Sequence, residues 1–498
     1  MKKGILLMAS LFMVMITIQA QWVQLGSDVD GSNTGDNFGR SVSLSDDGMT
    51  FVSGAHNNDQ NGSNAGQVRI YQYANDGWTQ VGSDILGQQA EEGFGFDVSL
   101  NADGSVFAAS APNSSGEGGV TGCVRIYQNT NGSWTQIGDA IYAESADDFF
   151  GYSVSLNADG TIVASGAPFN NGSYADAGQV RVYQLTDGNW VQLGNDIDGE
   201  DANNYSGYSV SLNADGTIVA IGAPENTGNG NEAGHVRVYQ FQDGDWVQMG
   251  SDIDAESAGD YLGYSVSLND EGNILAASAI FDELNGVNSG SIYVYQFVDG
   301  DWQKLGNTIV GEGTDNNFGV SNSINAAGNI VAGGAPTNSG NGSWSGSTRV
   351  FQLIDNNWEQ IGDDIDGEGE DDQSGGAVSL NALGSVVAIG ADHNSNENGS
   401  SSGQVRVFQN TTVDVQENTF ENLSLYPNPT SGRVTINLTE NVSPHVYIYD
   451  VTGRVLYHKH LKSANNSLMI DMTDYQSGIY MIRIYDNQKT YSGKIIKR

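Results

Sequence analysis

The sequence predicts an all-β fold: a seven-bladed β-propeller of 56-residue four-stranded repeats, closed by the N-terminal strand, plus a small C-terminal immunoglobulin-like β-sandwich. The first observation is a tryptophan that recurs every 56 residues, a period that indicates a repeat architecture. The seven copies are Trp22, Trp78, Trp134, Trp190, Trp246, Trp302 and Trp358. The second is that Asp-Gly and Asn-Gly turns separate short strand-like segments, and the third is that no stretch shows helical periodicity.

Each repeat contains four strand-like segments. In the third interval they cover 134–138, 150–156, 161–168 and 178–184. Tyr152, Val154 and Leu156 alternate with serines, and this period of two is typical of half-buried strands. Four antiparallel strands repeated seven times indicate a propeller, and a solenoid is the alternative architecture.

The order of the segments argues for a closed ring. The tryptophan strand at Trp22 comes first in the mature chain, and the last repeat stops after the VRVFQ strand at 405–409. The seventh blade therefore lacks a fourth strand of its own. If the Trp22 strand supplies it, no sheet edge stays unpaired.

Two short motifs recur within the repeats. FG at 150–151 is followed by GAP at 166–168, and FG or GAP returns in other units. Over residues 21 to about 411 this pattern resembles the FG-GAP repeats of the integrin α-subunit head. The resemblance implies a seven-bladed propeller that binds proteins and holds calcium in DxDxDG loops. Here those loops read LNADGT or LNALGS without a run of carboxylates, so the calcium sites of that family do not carry over.

The N-terminus predicts export. Lys2 and Lys3 precede an apolar run that ends near Ile18, and Ala20 offers a small residue for cleavage. This pattern is typical of a secretory signal peptide over residues 1–20, with a retained N-terminal anchor as the alternative. No other segment is apolar enough to cross a bilayer, so we expect a protein that is not integral to the membrane.

Charge divides the chain further. Residues 21–411 carry 52 acidic and 8 basic residues, whereas 421–498 carry six acidic and nine basic residues. We therefore expect a propeller over 21–411, a polar linker over 412–421 and a second domain over 422–498. The formal charge of −41 excludes nucleic acid as a partner, because phosphate binding needs clustered Lys and Arg.

The second domain has its own motifs. LYPNPTSG at 425–432, VYIYDVTGRVLY at 446–457 and the segment from 477 to the C-terminus resemble the C-terminal sorting domain of the type IX secretion system. The resemblance implies the type IX machinery as a partner and a protein that is secreted, extracellular or attached to the outer surface of a Gram-negative cell. The positions that carry over are Pro427, Asn428, Pro429, Gly453, Gly478, Tyr480 and Lys494. An ordinary adhesive sandwich is the alternative.

Acidic residues concentrate before each FG position. The seven eleven-residue segments there hold 27 carboxylates and no Lys or Arg, and we expect them on one face of the ring. The densest set is a candidate calcium site, since calcium prefers oxygen ligands from flexible loops. It consists of Asp364, Asp366, Glu368, Glu370, Asp371 and Asp372. Calcium is thus the one cofactor considered, and the alternative is an acidic surface that serves solubility.

Departures from the repeat indicate a binding surface. The fifth unit replaces GAP by SAIFDEL, which places Ile280, Phe281 and Leu284 in a loop, and the sixth adds Trp344. Exposed aromatic residues anchor proteins or stack on sugar rings, so Ile280, Phe281 and Trp344 are the candidate ligand contacts. Packing on their own loops is the alternative.

Catalytic residues are not evident, and whether the protein is an enzyme stays open. An arginine recurs at one strand position in six units, such as Arg69 and Arg125, which favours a structural charge partner. His56 and His393 lie in the first and last units, so they are neighbours only if the ring closes. We therefore expect a binding or adhesion module for extracellular protein or polysaccharide. The alternatives are a polysaccharide-degrading enzyme that uses carboxylates of the acidic face, and a structural surface-layer component.

Overall fold

The structure is a computed structural model whose described residues all lie in strands, turns or loops. The described ranges are 21–116, 119–411, 424–437, 445–449, 455–460, 467–473, 475–476, 478–486 and 489–498. The predicted signal peptide, the predicted linker and Gly453 lie outside them. Within these ranges, no helix is long and apolar enough to span a membrane.

Seven five-stranded antiparallel sheets, here called units 1 to 7, occupy residues 22–410. Unit 1 comprises Phe38–Leu44, Thr50–Ala55, Gln67–Ala74, Gly77–Gln80 and Ile85–Leu86. Unit 2 comprises Val98–Leu100, Val106–Ala111, Cys123–Thr130, Ser133–Gln136 and Ile141–Tyr142, with a small hairpin of Ser115–Gly116 and Gly119–Val120. Unit 3 comprises Ser153–Leu156, Ile162–Ala167, Gln179–Thr186, Asn189–Gln192 and Ile197–Asp198.

The remaining units repeat this order. Unit 4 comprises Ser209–Leu212, Ile218–Ala223, His235–Gln242, Asp245–Gln248 and Ile253–Asp254. Unit 5 comprises Leu262–Leu268, Ile274–Ala279, Ser291–Val298, Asp301–Lys304 and Ile309–Val310. Unit 6 comprises Asn322–Ile324, Ile330–Ala335, Ser347–Ile354, Asn357–Gln360 and Ile365–Asp366. Unit 7 comprises Ala377–Leu380, Val386–Ala391, Gln404–Asn410, Trp22–Gln24 and Val29–Asp30.

The fifth strand of each unit corrects the expectation of four. In unit 3 the third strand spans eight residues, and the fourth strand pairs only with its C-terminal half, residues 183–186. Ile197–Asp198 pairs with the other half, at Gln179 and Val180. The chain can fold back because Gly194 adopts a φ of +76°, a conformation that glycine reaches without strain. The short strand thus leaves less of the sheet edge unpaired.

The first and last units close into a ring. Trp22 lies opposite Asn410, so the N-terminal strand supplies the fourth strand of unit 7 as the order of segments predicts. The first strands of neighbouring units contact one another all the way round and surround the centre. In the turns between first and second strands, one backbone N–H per unit donates to the carbonyl of the next unit. This circuit runs through Asp46, Ala102, Ala158, Ala214, Asp270, Ala326, Ala382 and back to Asp46.

The repeated tryptophan joins neighbouring units. Trp134 Nε1 donates to Val81 O at 2.9 Å, and Trp22 Nε1 donates to Ile361 O at 2.8 Å across the closure. Serines on the inner strands also join neighbouring units. Ser43 Oγ, for example, accepts a hydrogen bond from Leu100 N at 3.0 Å. Contacts between neighbouring units therefore recur every 56 residues, as do the contacts within each unit.

The C-terminal residues form two further sheets. One contains Ser424–Tyr426, Arg433–Asn437 and Ser467–Asp471, and the other contains Val455–His460, His445–Tyr449, Gly478–Asp486 and Lys489–Lys497. Their apolar faces share one core that includes Val434, Ile448 and Ile482. A hydrophobic core of its own is what defines a folding unit.

The residues assigned to the sorting signal lie at one end of these sheets. Asn428 Nδ2 donates to Lys494 O at 2.5 Å, and its Oδ1 accepts from Ile496 N at 2.8 Å. Pro427 and Pro429, on either side, both follow cis peptide bonds. Asn428 thus fastens this loop to the last strand. Tyr480 is buried and donates its hydroxyl to Gln476 O at 2.7 Å, while Gly478 is exposed with open space where a Cβ would stand.

The four-stranded C-terminal sheet lies against the ring. We call the side of the ring that carries the turns between first and second strands the turn face. Tyr447 donates its hydroxyl to Asp46 Oδ2 at 2.7 Å and packs against Ala326 and Ala382. His445 Nε2 lies 3.2 Å from Asp270 Oδ2. The described residues of this domain therefore contact the ring on its turn face.

Candidate ligand-binding face

The acid-rich segments lie together on the side opposite the turn face, here called the acidic face. Each segment packs against the loop between the second and third strands of the preceding unit: Asn61 Nδ2, for example, donates to Gly87 O at 2.7 Å. Asn64 Nδ2 likewise donates to Glu91 Oε2 at 2.9 Å. Both kinds of loop therefore build this face.

The repeated arginines support these loops from below. Arg237 Nη2 donates to Asp198 O at 2.7 Å and Arg406 Nη2 donates to Asp366 O at 2.6 Å. In unit 2 the buried Arg125 instead makes two hydrogen bonds to Glu92, at 2.9 and 2.8 Å. These contacts are structural, because each guanidinium group binds the segment that leads from the preceding unit into its own.

The predicted calcium ligands do not converge. No three of the six carboxylates bring their oxygens within 4.8 Å of one another, the separation that a shared ion requires. Asp364 accepts from Gln360 Nε2 at 2.7 Å and Asp372 accepts from Gly369 N at 2.7 Å. Glu368 lies 3.7 Å from Arg406 Nη1, and Asp366, Glu370 and Asp371 are exposed. Calcium binding by these loops stays a prediction.

An aromatic ladder runs around the ring centre on the inner strands of units 2 to 5. Phe96 and Tyr152 have ring centroids 5.3 Å apart, Tyr152 and Tyr208 are 4.8 Å apart, and Tyr208 and Tyr264 are 5.0 Å apart. Arg40 of unit 1 caps the ladder with its guanidinium carbon 4.7 Å from the Phe96 ring. The rings are half-buried, so part of each stays accessible from the acidic face.

A second tier of aromatic residues surrounds the ladder. Phe169 lies 5.2 Å from Phe149 and 5.2 Å from Tyr205, and Phe281 lies 4.9 Å from Tyr261 at right angles. Phe149, Tyr205 and Tyr261 occupy equivalent positions with φ of +54°, +52° and +60°. Bulky side chains in this left-handed region cost about 1–2 kcal/mol each. We call the two tiers on units 2 to 5 the aromatic half.

Units 6, 7 and 1 carry amides at the positions of the second tier. Asn57 Nδ2 donates to Asn37 Oδ1 at 2.9 Å, and Thr337 Oγ1 donates to Asn317 Oδ1 at 2.9 Å. Gln373 Nε2 lies 3.3 Å from His393 Nδ1. We call these three units the polar half. His56 does not complete a metal cluster with His393 here: its imidazole packs at right angles to Phe96, 5.8 Å away.

The aromatic half opens into a cavity of about 680 Å³ in unit 5. Its lining includes Tyr261 and Phe281 of the second tier and the carboxylates of Glu256, Asp260 and Asp282. Many ligand pockets have volumes of this order. The cavity therefore joins a pair of aromatic rings to a group of hydrogen-bond acceptors.

The cavity exists where the repeat loses its arginine. Tyr293 stands at the arginine position and donates its hydroxyl to Asp282. Lys304 replaces the glutamine of other units; its Nζ lies 4.5 Å from the Tyr293 ring centroid and 3.4 Å from Glu256 Oε1. Burial, followed by the nearby Asp282, raises the pKa of Asp260 to about 6. Asp260 has no guanidinium partner among the described residues, and its pKa therefore lies close to neutral pH.

The structure separates the three predicted ligand contacts. Phe281 lines the cavity. Ile280, which we expected in an exposed loop, is only 4% exposed, because it packs beneath that loop at the end of the second strand. Trp344 is 53% exposed but lies in unit 6, where its carbonyl accepts from Gln373 N, and it does not line the cavity. The strand and turn motifs do not predict the ladder. Equivalent positions 56 residues apart nevertheless hold Phe96, Tyr152, Tyr208 and Tyr264 in register.

The two parts of the chain match known families. Residues 28–71 and 254–295, both in the ring, match the FG-GAP repeat. Residues 424–498 match the secretion system C-terminal sorting domain. This domain directs export by the type IX secretion system of Bacteroidetes, so the protein engages that machinery and is secreted or attached to the cell surface.

Individual relatives cover the chain unevenly. An ulvan lyase of Nonlabens ulvanivorans is 32% identical over 91 residues, which are 18% of this chain and only 17% of that protein. A fungal alcohol oxidase in complex with copper superposes with a TM-score of 0.50 at 10% identity, over 96% of this chain and 99% of that one. A GH74 xyloglucanase from Xanthomonas campestris gives a TM-score of 0.43 at 10% identity, over 85% and 60%. The likeness to the oxidase is one of fold alone.

Proposed function

We propose that this protein is a surface-displayed or released seven-bladed propeller that binds a polysaccharide without net negative charge. The ligand lies on the aromatic half of the acidic face and enters the cavity of unit 5. Residues 21–411 form the propeller, 412–421 a linker, and 422–498 an immunoglobulin-like sandwich that serves export. The 91-residue similarity to an ulvan lyase supports polysaccharide as the broad ligand class.

The strained aromatic tier carries this proposal. The equivalent position of unit 2 is Gly93, with φ of +64°, which shows the residue that this backbone accommodates without strain. Units 3, 4 and 5 nevertheless carry Phe149, Tyr205 and Tyr261. Strained residues cluster at binding and active sites. These three rings lie on one half of the acidic face at a stability cost, and Tyr261 lines the cavity, so we infer that they serve contact with a ligand.

The chemistry of the face limits the ligand. Aromatic rings stack on the apolar faces of sugar rings, and carboxylates accept hydrogen bonds from sugar hydroxyl groups. Glu256, Asp260, Asp282 and Glu283 line the cavity, and Lys304 is the cation beside them. These carboxylates would repel the negative charges of an anionic polysaccharide. A neutral polysaccharide therefore fits this face better than an anionic one.

The test is retention of the full chain on a panel of neutral and anionic polysaccharides and of extracellular proteins, by affinity electrophoresis. We expect retention by a neutral polysaccharide and its loss in Phe281→Ala. Trp344→Ala serves as the matched control, because Trp344 is exposed outside the cavity. Retention only by proteins or anionic polymers contradicts the proposal.

Hydrolysis of the bound polysaccharide is the second candidate function. A carboxyl group whose pKa is raised to about 6, beside a second carboxylate, resembles the acid of a glycosidase pair. The enzyme hypothesis predicts release of reducing ends that stops in Asp260→Asn. Binding without release of reducing ends leaves the protein as a binding module. Self-association of the purified chain at micromolar concentration, with no retention on any polysaccharide, favours a surface-layer component instead.

A further inference from the structure

A buried histidine begins the third strand of unit 4. His235 stands where units 1, 3 and 7 carry Gln67, Gln179 and Gln404. Only 2% of His235 is exposed to solvent. Its Nδ1 lies 3.9 Å from Asp254 Oδ1, beyond hydrogen-bond distance, and in the described part of the chain no other side chain or backbone group bonds to the ring. The imidazole is therefore held in place by packing and not by hydrogen bonds.

Three ligand-bearing side chains converge at this histidine. Among the described residues, Glu200, His235 and Asp252 form the one group of three or more His, Cys, Asp or Glu whose ligand atoms all lie within 4.8 Å of one another. Gln248 Nε2 donates to Asp252 Oδ1 at 2.6 Å and thereby orients that carboxylate. Asp254 lies opposite His235 in the adjacent strand. The cluster thus combines one nitrogen donor with several carboxylate oxygens.

Unit 3 shows what the same place contains without a histidine. Gln179 Nε2 donates to Asp196 Oδ2 at 3.2 Å and to Asp198 Oδ1 at 3.0 Å. Those two aspartates are the counterparts of Asp252 and Asp254. The glutamine amide satisfies both carboxylates, whereas the imidazole of unit 4 reaches neither. In unit 3 the glutamine occupies both carboxylates with hydrogen bonds. In unit 4 these hydrogen bonds are missing, so the carboxylate oxygens and the imidazole nitrogen can coordinate a metal ion.

We propose that Glu200, His235 and Asp252, with Asp254 as a fourth ligand, bind one Zn²⁺ ion. Imidazole nitrogen with carboxylate oxygens is a donor set that zinc accepts, whereas calcium takes oxygen ligands. Tetrahedral ligands about 2.1 Å from zinc are roughly 3.4 Å apart. Glu200 and Asp252 are exposed, so their side chains can close on an imidazole that the strand holds in place.

The local charges favour the ion. The neutral imidazole is the form that ligates metals. Arg237 Nη1 lies 3.4 Å from Glu200 Oε1 and opposes a cation in part. Three carboxylates outnumber this one guanidinium group, and zinc would neutralise their mutual repulsion.

The site is tested by titrating the purified full chain with Zn²⁺ in a calorimeter and by recording the visible spectrum of the Co²⁺ form. We expect one site whose cobalt spectrum is that of a tetrahedral ion. His235→Gln introduces the residue that the other units use, so the fold is kept, as an unchanged thermal unfolding curve will verify. We expect this variant to bind zinc more than about 100-fold more weakly. Equal binding by wild type and His235→Gln overturns the proposal, as does the absence of binding by the wild type.

Two further variants exclude adventitious binding. His393→Gln removes an exposed histidine elsewhere on the same face, and we expect zinc binding to be unchanged. Gln179→His places an imidazole among Glu144, Asp196 and Asp198 of unit 3, and we expect the stoichiometry to rise from one to two. A stoichiometry of one in Gln179→His would contradict the claim that the histidine in this setting creates the site.

Discussion

The aromatic and polar halves of the ring share one backbone but present different chemistry to the solvent. Tyr205 and Gln373 occupy equivalent positions with nearly the same φ, +52° and +53°. Tyr205 packs against another ring at 5.2 Å, whereas Gln373 contacts a histidine nitrogen at 3.3 Å. The repeat thus fixes the scaffold, and substitutions at a few register positions decide which chemistry each half presents. In the function that we propose, ligand binding depends on these departures from the repeat.

Among the variants that compare the two halves, removal of the middle of the ladder should weaken binding most. Tyr208 contacts both Tyr152 and Tyr264, so Tyr208→Ala removes one stacking surface and loosens two others. We expect affinity for the polysaccharide to fall about 30-fold, which corresponds to about 2 kcal/mol. Calorimetry with Gln373→Ala as the polar-half control measures this. A similar loss in both variants would remove the distinction between the halves.

A smaller effect concerns the pH dependence of stability. In the folded state the pKa of Asp260 is about 6, above the value of about 3.9 for an unfolded aspartate. Below pH 4 both states are protonated and this group costs nothing. As pH rises from 4 to 6 the unfolded state loses its proton first, so the folded state loses stability, and the full cost applies above pH 6. The ionised Asp260 therefore lowers the stability of the wild-type protein at neutral pH.

Asp260→Asn removes that penalty. Unit 4 carries Asn204 at this position, where its Oδ1 accepts from Asp201 N at 3.2 Å, so the amide suits the loop. We expect the variant to be more stable than wild type by about 1 kcal/mol at pH 7 and equal to it at pH 4. Urea unfolding at the two pH values measures the difference. Equal stability at both would show that Asp260 titrates normally.

The smallest effect tests the strain directly. Tyr205→Gly releases about 1 kcal/mol of backbone strain and loses one ring contact with Phe169, worth about as much. We expect an unfolding free energy within about 0.5 kcal/mol of wild type, together with weaker polysaccharide binding. Tyr205→Ala keeps the strain and loses the contact, so it should be the less stable of the two by about 1 kcal/mol. Equal stability of both variants would mean that this position is unstrained.

The sequence predicts the ring better than the site. Strand order, the tryptophan register and the pairing of Trp22 with the last repeat follow from one period. The short fifth strands escape prediction, because two residues such as Ile197 and Asp198 carry no periodicity of their own. The ladder escapes because Tyr152 reads as an ordinary alternating residue. Its partner is 56 residues away, and only the packing of neighbouring units in a known register brings the ring of Tyr208 within 4.8 Å.

The C-terminal domain illustrates the same limit. Its motifs predict its class and its role in export, and the family match confirms both. They do not predict that Tyr447 reaches Asp46 on the turn face, because that contact depends on how two folded units meet. Burial raises the pKa of Asp46 to about 7, a consequence that only the assembled structure reveals. Local patterns predict elements, whereas contacts between units require coordinates.

Hydrogen–deuterium exchange of the full chain shows whether the ligand lies on the aromatic half. The exchange is measured with and without a saturating oligosaccharide of the polysaccharide that is retained. We predict slower exchange in 203–208, 259–264 and 280–284, and unchanged exchange in 315–320 and 371–376. Protection confined to the polar half or to the turn face would mean that the ligand does not lie on the aromatic half.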